Sequence, residues 1–319
     1  MKTTITCIFL LLAVCATSSA QDPVFIQHHN MPVDLNPAFA GYEGCARIST
    51  LNRIQWPSIS ATYHTVGFSF DQYLKPVSGG VALSYQFDGA GDYTLNTHTL
   101  LLAYSPSFRV FDKKLLISPA IEAGWKQRRL NREKLIFPDQ IDPRTGYTYP
   151  YDTTKLSRVV RNMLDINAGL LLSHGNFVYG ASFRHLSKPV AEIYRTNNRV
   201  PIHTTLHFFW ISPDAKKIRF STSLACHFQK YFRTFIPGVS MYFHSVRIGL
   251  AYGSNHHAPD DISVIAGYSK KWFSAAYSNI TAISKLGNSP NVAHQITFAV
   301  KLNCKNKEDR RKGVTVFGY

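Results

Sequence analysis

Beyond its first twenty residues the chain has no apolar run near the ~18 residues that a membrane-spanning helix needs. No helix of that part is therefore expected to cross a bilayer. Cysteine is scarce, with five in 319 residues. Cys45, Cys226 and Cys304 lie beyond the leader. An odd, scattered set gives no disulfide framework, and the three are expected as isolated thiols. No C-x-x-C or Cys/His cluster has zinc spacing. There is no G-x-S-x-G nucleophile elbow and no calcium-binding glycine–aspartate nonamer. No cofactor, metal or catalytic residue is expected. Acidic residues are few, 19 against 35 Lys and Arg, for a formal net charge of +16.

What is present begins with a leader. Lys2 is a positive n-region, Ile8 to Ala16 a short apolar core, and Ser18-Ser19-Ala20 a small-residue cleavage site. Cys15 suggests a lipoprotein, but Val14 before it fits poorly. Export removes nucleic acid as the partner of the basic runs. Hydrophobic residues make up 45% and aromatics 13%, with 17 Tyr and 21 Phe. An exported, aromatic-rich chain without a membrane helix is a secreted β protein or an outer-membrane barrel.

Alternation of period two recurs through the chain. Leu164, Ile166, Ala168, Leu170 and Leu172 share one face, with Asp165, Asn167 and Gly169 between them. Ile218, Phe220, Thr222, Leu224, Cys226 and Phe228 alternate with Arg219, Ser221, Ser223, Ala225, His227 and Gln229. Val292, Ile296, Phe298, Val300 and Leu302 form a last apolar face, broken by His294. About fourteen strands follow, starting near residues 44, 61, 79, 94, 115, 162, 176, 202, 217, 233, 245, 260, 271 and 291. An even count puts both barrel ends on one side. Tight connections (174–176, 243–245, 270–271) largely alternate with long ones (128–161, 187–201, 253–260, 282–290). That pattern separates periplasmic turns from outer loops, and a soluble sandwich has no reason for it. In lipid only a closed sheet satisfies every backbone group. The expected fold is therefore all-β: an antiparallel transmembrane β-barrel of about 14 strands. Pro119 and Pro237 fall inside expected strands and must sit at bulges or breaks.

The stretch "MPVDLNPAFAG", residues 31–41, is too rich in proline for a regular helix. Asn36 is pushed towards an extended backbone by Pro37, and Gly41 can take positive φ. With Arg53, Gln55 and Trp56 of "LNRIQWPSI", it resembles the opening of the PorP/SprF family, outer-membrane proteins of the type IX secretion system in Bacteroidota. The family's N-P-A-aromatic-A-G segment is here Asn36 to Gly41, and its Arg-x-Gln-Trp element is Arg53, Gln55 and Trp56. "GGVALSYQFDGAGDYT", "RIGLAYGSNHHAPDDISVIAGY" and "NSPNVAHQITFAVKL" resemble later segments, although Gln295 stands where the family has Glu. The resemblance implies a barrel of about fourteen strands without enzymatic activity. It also implies work beside the secretion and gliding machinery: periplasmic ring lipoproteins, a peptidoglycan-binding protein, or one large secreted adhesin.

The expected organisation is a signal peptide (1–20), an N-terminal periplasmic segment (21–43), an outer-membrane barrel (44–303) and a basic periplasmic tail (304–319). The N-terminal segment packs into or under the barrel, because Phe25, Ile26, Leu35 and Phe39 need burial. Trp56 suits an outer aromatic belt, and Arg53 and Gln55 suit lumen hydrogen bonds. Arg310, Arg311 and Lys312 are candidates for docking a periplasmic partner. The basic run from Lys126 to Lys134 is a candidate for lipopolysaccharide or an acidic adhesin. Adjacent His28-His29 and His256-His257 do not converge on one ion, and Asp88 to Asp92 read as a hairpin turn. Tyr147, Tyr149 and Tyr151 could form a sticky loop tip. Two rival functions remain: a general diffusion porin, whose lumen could also be plugged by 128–161, and a rim hydrolase using His257, Asp260 or Asp261.

Overall fold

Strands alternate because one face of the sheet meets lipid and the other the lumen, and the sheet closes because an edge in lipid would leave backbone groups unpaired. The computed structural model describes residues 22–58, 62–111, 114–131, 134–135, 141–146, 160–190, 199–213, 218–255, 260–270, 272–283 and 292–302. Residues 1–21, where a leader is expected, His256-His257, the three loop tyrosines and the C-terminal residues from 303 on, with Arg310, Arg311 and Lys312, lie outside these residues.

Along the chain, a four-residue helix α1 (Pro32–Leu35) and a single 3-10 turn (Pro37–Phe39) precede the strands. These are β1 (Ala46–Gln55), β2 (Tyr63–Leu74), β3 (Gly79–Ala90), β4 (Leu95–Pro106), β5 (Phe108–Val110), β6 (Leu115–Leu130), β7 (Val160–His174) and β8 (Phe177–Arg184). They continue with β9 (His203–Ile211), β10 (Ile218–Gln229), β11 (Phe232–Phe243), β12 (Val246–Asn255), β13 (Asp261–Lys270), β14 (Phe273–Ala282) and β15 (Val292–Leu302). Neighbours in sequence pair antiparallel, β1 pairs with β15, and β4 with β6 closes the ring. The wall is thus a closed barrel of fourteen strands. Each starts within two residues of its expected position.

The extra strand has a simple origin. β5 continues β4 along β6 in the same register, beyond an unpaired step where Pro106 stands level with Pro119. Neither proline can donate to the ladder, so the strand breaks there and resumes. Pro237 acts similarly: β11 pairs with β12 on both sides of Ile236-Pro237, in one register, but not at those two positions.

The outer face carries the large exposed side chains, such as Leu102, Leu164, Ile248, Val264 and Phe298. His294 does not disrupt it, because its Nδ1 lies 2.8 Å from the Tyr277 hydroxyl. Tyr85 with His98 and Tyr93 with His64 form the same couple at 2.8 and 2.9 Å. Among the described residues no helix is long and apolar enough to cross a membrane.

All strand ends near residues 46, 74, 106, 174, 211, 243, 270 and 302 lie at one rim, the turn end; the other rim is the loop end. Cys45, just before β1, is disulfide-bonded, whereas Cys226 is free. This corrects the expectation of isolated thiols for Cys45. Barrel closure is the physical reason: it brings the two chain ends together, with Ala46 opposite Leu302, a proximity that spacing in sequence hides. Cys304 stands two positions beyond Leu302 in the chain. Peptide mapping without reduction is expected to recover Cys45 joined to Cys304, with Cys226 open to alkylation after unfolding. Recovery of alkylated Cys304 without reduction would refute that pairing.

Candidate functional site

The segment 22–45 lies inside the barrel. Asp22 sits in the loop-end half, and the chain descends to the turn end, where β1 begins. There Val33, Leu35, Ala38, Phe39, Ala40 and Tyr42 pack on inward-facing Ala82, Ala103, Leu116, Leu171, Val178 and Phe209. Phe25, Leu35 and Phe39 are buried as their apolar character requires, and Ile26 half-buried. This is one of three apolar contacts between this plug and the wall among the described residues: Phe25 and Met31 meet Leu51, and Val24 and Ile26 meet Ala225, Ile236 and Ala251.

Asn36 is the centre of that contact. Its backbone is extended, as a residue before proline should be, and its Oδ1 accepts the Ala38 N–H at 2.9 Å, capping the 3-10 turn that Pro37 opens. Its Nδ2 points into the wall and donates to the carbonyls of Leu170 and Ala181, at 3.0 and 3.1 Å, with His207 Nε2 3.0 Å away. Leu170 and Ala181 are paired residues of β7 and β8. The asparagine fits only because its wall neighbours are Gly169 and Gly180: a Cβ on Gly169 would meet Asn36 Oδ1 at 2.2 Å, and one on Gly180 would meet the His207 ring at 2.2 Å.

Gly41, at φ +60, turns the segment towards β1. Its N–H donates to Asp71 Oδ2 at 3.0 Å, and Asp71 Oδ1 accepts Arg47 Nε at 2.8 Å. Lys301 Nζ meets Glu43 Oε2 at 3.0 Å. Lys301, Arg47 and Asp71 are side by side on β15, β1 and β2, so this network joins the first strand, the last strand and the plug. At the other end, the Asp22 carboxylate takes Lys126 Nζ at 3.3 Å, His185 Nε2 at 2.6 Å and Gln229 Nε2 at 3.0 Å. Between the ends, Asn30 bonds Thr297 and Ser274, and His29 Nδ1 lies 3.1 Å from Arg247.

Above the plug, at the loop end, is a well of about 550 Å³. Arg53 and Gln55 line it, in the lumen as expected, and an Arg53 guanidinium N–H donates to the Val24 carbonyl. Trp56 corrects the aromatic-belt expectation. Its left-handed backbone, φ 57, leads its ring into the well, edge-to-face on Tyr63 at 5.2 Å between centroids. Sequence alternation could not give this, because Trp56 falls one residue past the strand. Asp260, at the loop-end rim, is held below the usual carboxylate range by the Asn255 backbone N–H and then the Tyr252 hydroxyl. Among the described residues no group of three or more His, Cys, Asp or Glu is placed to hold a metal ion.

Residues 17–300 match the family described as type IX secretion system membrane protein PorP/SprF. The chain belongs to the PorP/SprF family. Solved structures place this PorP/SprF chain among outer-membrane barrels. The toluene transporter TbuX of Ralstonia pickettii is similar at TM-score 0.55 and 10% identity, over 86% of this chain and 94% of that one. The Pseudomonas putida toluene transporter TodX gives 0.46 and 9%, over 89% and 94%. Omp33 of Acinetobacter baumannii gives 0.46 and 7%, over 82% and 100%. No curated protein matches the chain. For this PorP/SprF barrel, family and fold point to the outer membrane and to association with the secretion machinery. Of the motif residues, Asn36, Pro37 and Gly41 meet in the plug's turn-end contact, and Arg53, Gln55 and Trp56 in the well; the two groups are not in one site. Their partners Gly169, Gly180, His207 and Asp71 had no individual signal in the sequence.

Proposed function

We propose that this chain is a non-enzymatic docking component of the type IX secretion and gliding machinery. Its turn end faces the periplasm, where ring lipoproteins and a peptidoglycan-binding protein engage the rim and the basic tail residues Arg310, Arg311 and Lys312. Its loop end, with lipopolysaccharide around it, receives a large secreted adhesin. The observation that carries this reading is the plug: Asn36, Pro37 and Gly41 of the family motif fill and fasten the turn end of the lumen, and Arg53 ties the plug to β1. A general porin needs a water-filled lumen. Asp260, ionised and already bonded to Asn255 and Tyr252, favours neither acid catalysis nor a rim hydrolase.

The test is a mild-detergent pull-down of the tagged chain from its native envelope, paired with single-channel recording in planar bilayers. Ring lipoproteins, a peptidoglycan-binding protein or one very large surface protein are expected to co-purify, with no steady open channel. Replacing Arg310, Arg311 and Lys312 by glutamine is expected to remove the periplasmic partners from the eluate. A partner-free protein with a stable open conductance would establish the porin instead.

A further inference from the structure

The well above the plug has a definite chemistry. Its floor is the plug itself, from Asp22 to Ile26. Its apolar wall is aliphatic, with Val24, Ile26, Ile236 and Ile280 below the Trp56–Tyr63 pair. Its charges balance: Arg53 and Arg128 share the cavity with Asp88 and Asp261, while Asp22 is engaged by Lys126 and His185. A cavity of this size falls in the range of about 300–1,000 Å³ that holds a small ligand. Balanced charge gives no attraction to a polyanion such as a phosphorylated glycan. Branched aliphatic walls, with the aromatic pair turned edge-to-face on itself, offer little platform for a sugar ring. They suit branched aliphatic side chains.

Two polar atoms refine the fit. Arg53 Nε is a buried donor, and Asp261 Oδ1 a buried acceptor, without a hydrogen-bond partner among the described residues. A buried donor and acceptor left open are costly, and a peptide unit offers a carbonyl to the first and an N–H to the second. The αL backbone of Trp56 is a further local strain of a kind that clusters at ligand sites.

We infer that this well binds a short extended peptide segment, uncharged and bearing branched aliphatic side chains, its carbonyl on Arg53 Nε and its N–H on Asp261 Oδ1. Because the plug closes the floor, the segment enters as a chain end or a hairpin tip and cannot thread through. The inference deepens the docking reading and rests on it only for the source of the peptide, an exported polypeptide.

The test uses the full chain in lipid nanodiscs and the capped pentapeptide acetyl-Ser-Ile-Val-Ile-Ser-amide, titrated with tryptophan fluorescence as the signal. Saturable binding is expected, with the fluorescence change lost in Trp56→Phe. Asp261→Asn keeps an oxygen for Asn255 and turns an N–H into the well, so affinity is expected to fall about tenfold. Arg53→Lys, which keeps the charge but removes Nε, and a peptide N-methylated at its central amides are expected to weaken binding similarly. The parent fold of each variant is checked by its heat-dependent gel mobility. Three results would overturn the inference: no saturable binding, equal binding of the N-methylated peptide, or binding of maltohexaose in its place. These titrations contain no partner protein, so they can fail while the pull-down succeeds, or the reverse.

Discussion

Asn36→Ala is expected to destabilise the barrel by about 3–5 kcal/mol and to free the plug. The side chain is fully buried and serves both sides of an interface. Its Oδ1 caps a turn in the plug, and its Nδ2 bonds two neighbouring wall carbonyls beside His207. Alanine leaves the Ala38 N–H buried and unpaired, at a cost of about 1–3 kcal/mol, and removes the second hydrogen bond that the ladder-paired Leu170 and Ala181 carbonyls each accept, at about 0.5–1.5 kcal/mol apiece. The space cannot collapse, because the wall is a closed ladder. Asn36→Asp separates the two roles: it keeps the cap and loses the donors, setting a carboxylate against two carbonyls. It is expected to be at least as damaging as alanine. The measurement is guanidinium unfolding of the lipid-reconstituted protein, with limited proteolysis of residues 22–43 alongside. A wild-type midpoint with a protected plug in Asn36→Ala would remove Asn36 from its place as the fastener.

Such a fastener was half legible in the sequence. "NPAFAG" read as a shaped segment because proline and glycine fix backbone angles locally, and the strands read because lipid and lumen impose a two-residue period. What occupies the lumen is a long-range fact. It did leave a trace, in the places where alternation fails. Leu170-Leu171-Leu172 and Phe208-Phe209-Trp210 are apolar on both faces. Leu171 and Phe209 are the inward members, buried on the plug. Apolar inward residues on a face that elsewhere carries Asp165, Asn167 and His227 call for an apolar occupant, and Phe25, Ile26, Leu35 and Phe39 were the apolar side chains in need of burial. Gly169 and Gly180 carried no such trace, since a strand glycine has several explanations. His28 and His29 read only as adjacent imidazoles that do not converge on one ion; their burial against His227 and Phe209 depends on a path of the plug that no local rule supplies. Trp56 was misplaced for a different reason: the period that assigns faces ends with the strand, and its left-handed backbone reverses the direction extrapolated from Gln55.

Asp71→Ala is expected to cost about as much at the seam. Asp71 has no solvent exposure, and its partner Arg47 is nearly as buried. Removing one member of a buried ion pair typically costs about 3–5 kcal/mol, because the other is left charged in a low dielectric. Glu43 is a poor substitute, since it lies 4.0 Å from Arg47 Nη1 and already holds Lys301 at 3.0 Å. The Gly41 N–H loses its acceptor as well, at the turn that feeds the plug into β1. Asp71→Asn retains an acceptor for that N–H and is expected to lose less. The decisive variant is the double change Asp71→Leu with Arg47→Met, which removes both charges and fills similar volume. If burial of a lone charge dominates, the double variant unfolds at higher guanidinium than Asp71→Ala, because replacing a whole buried pair by apolar residues is often neutral. If the double variant is instead the worse of the two, the row Lys301–Arg47–Asp71 acts through specific geometry. The charged network then fixes how the first strand meets the last, and with it where the plug enters.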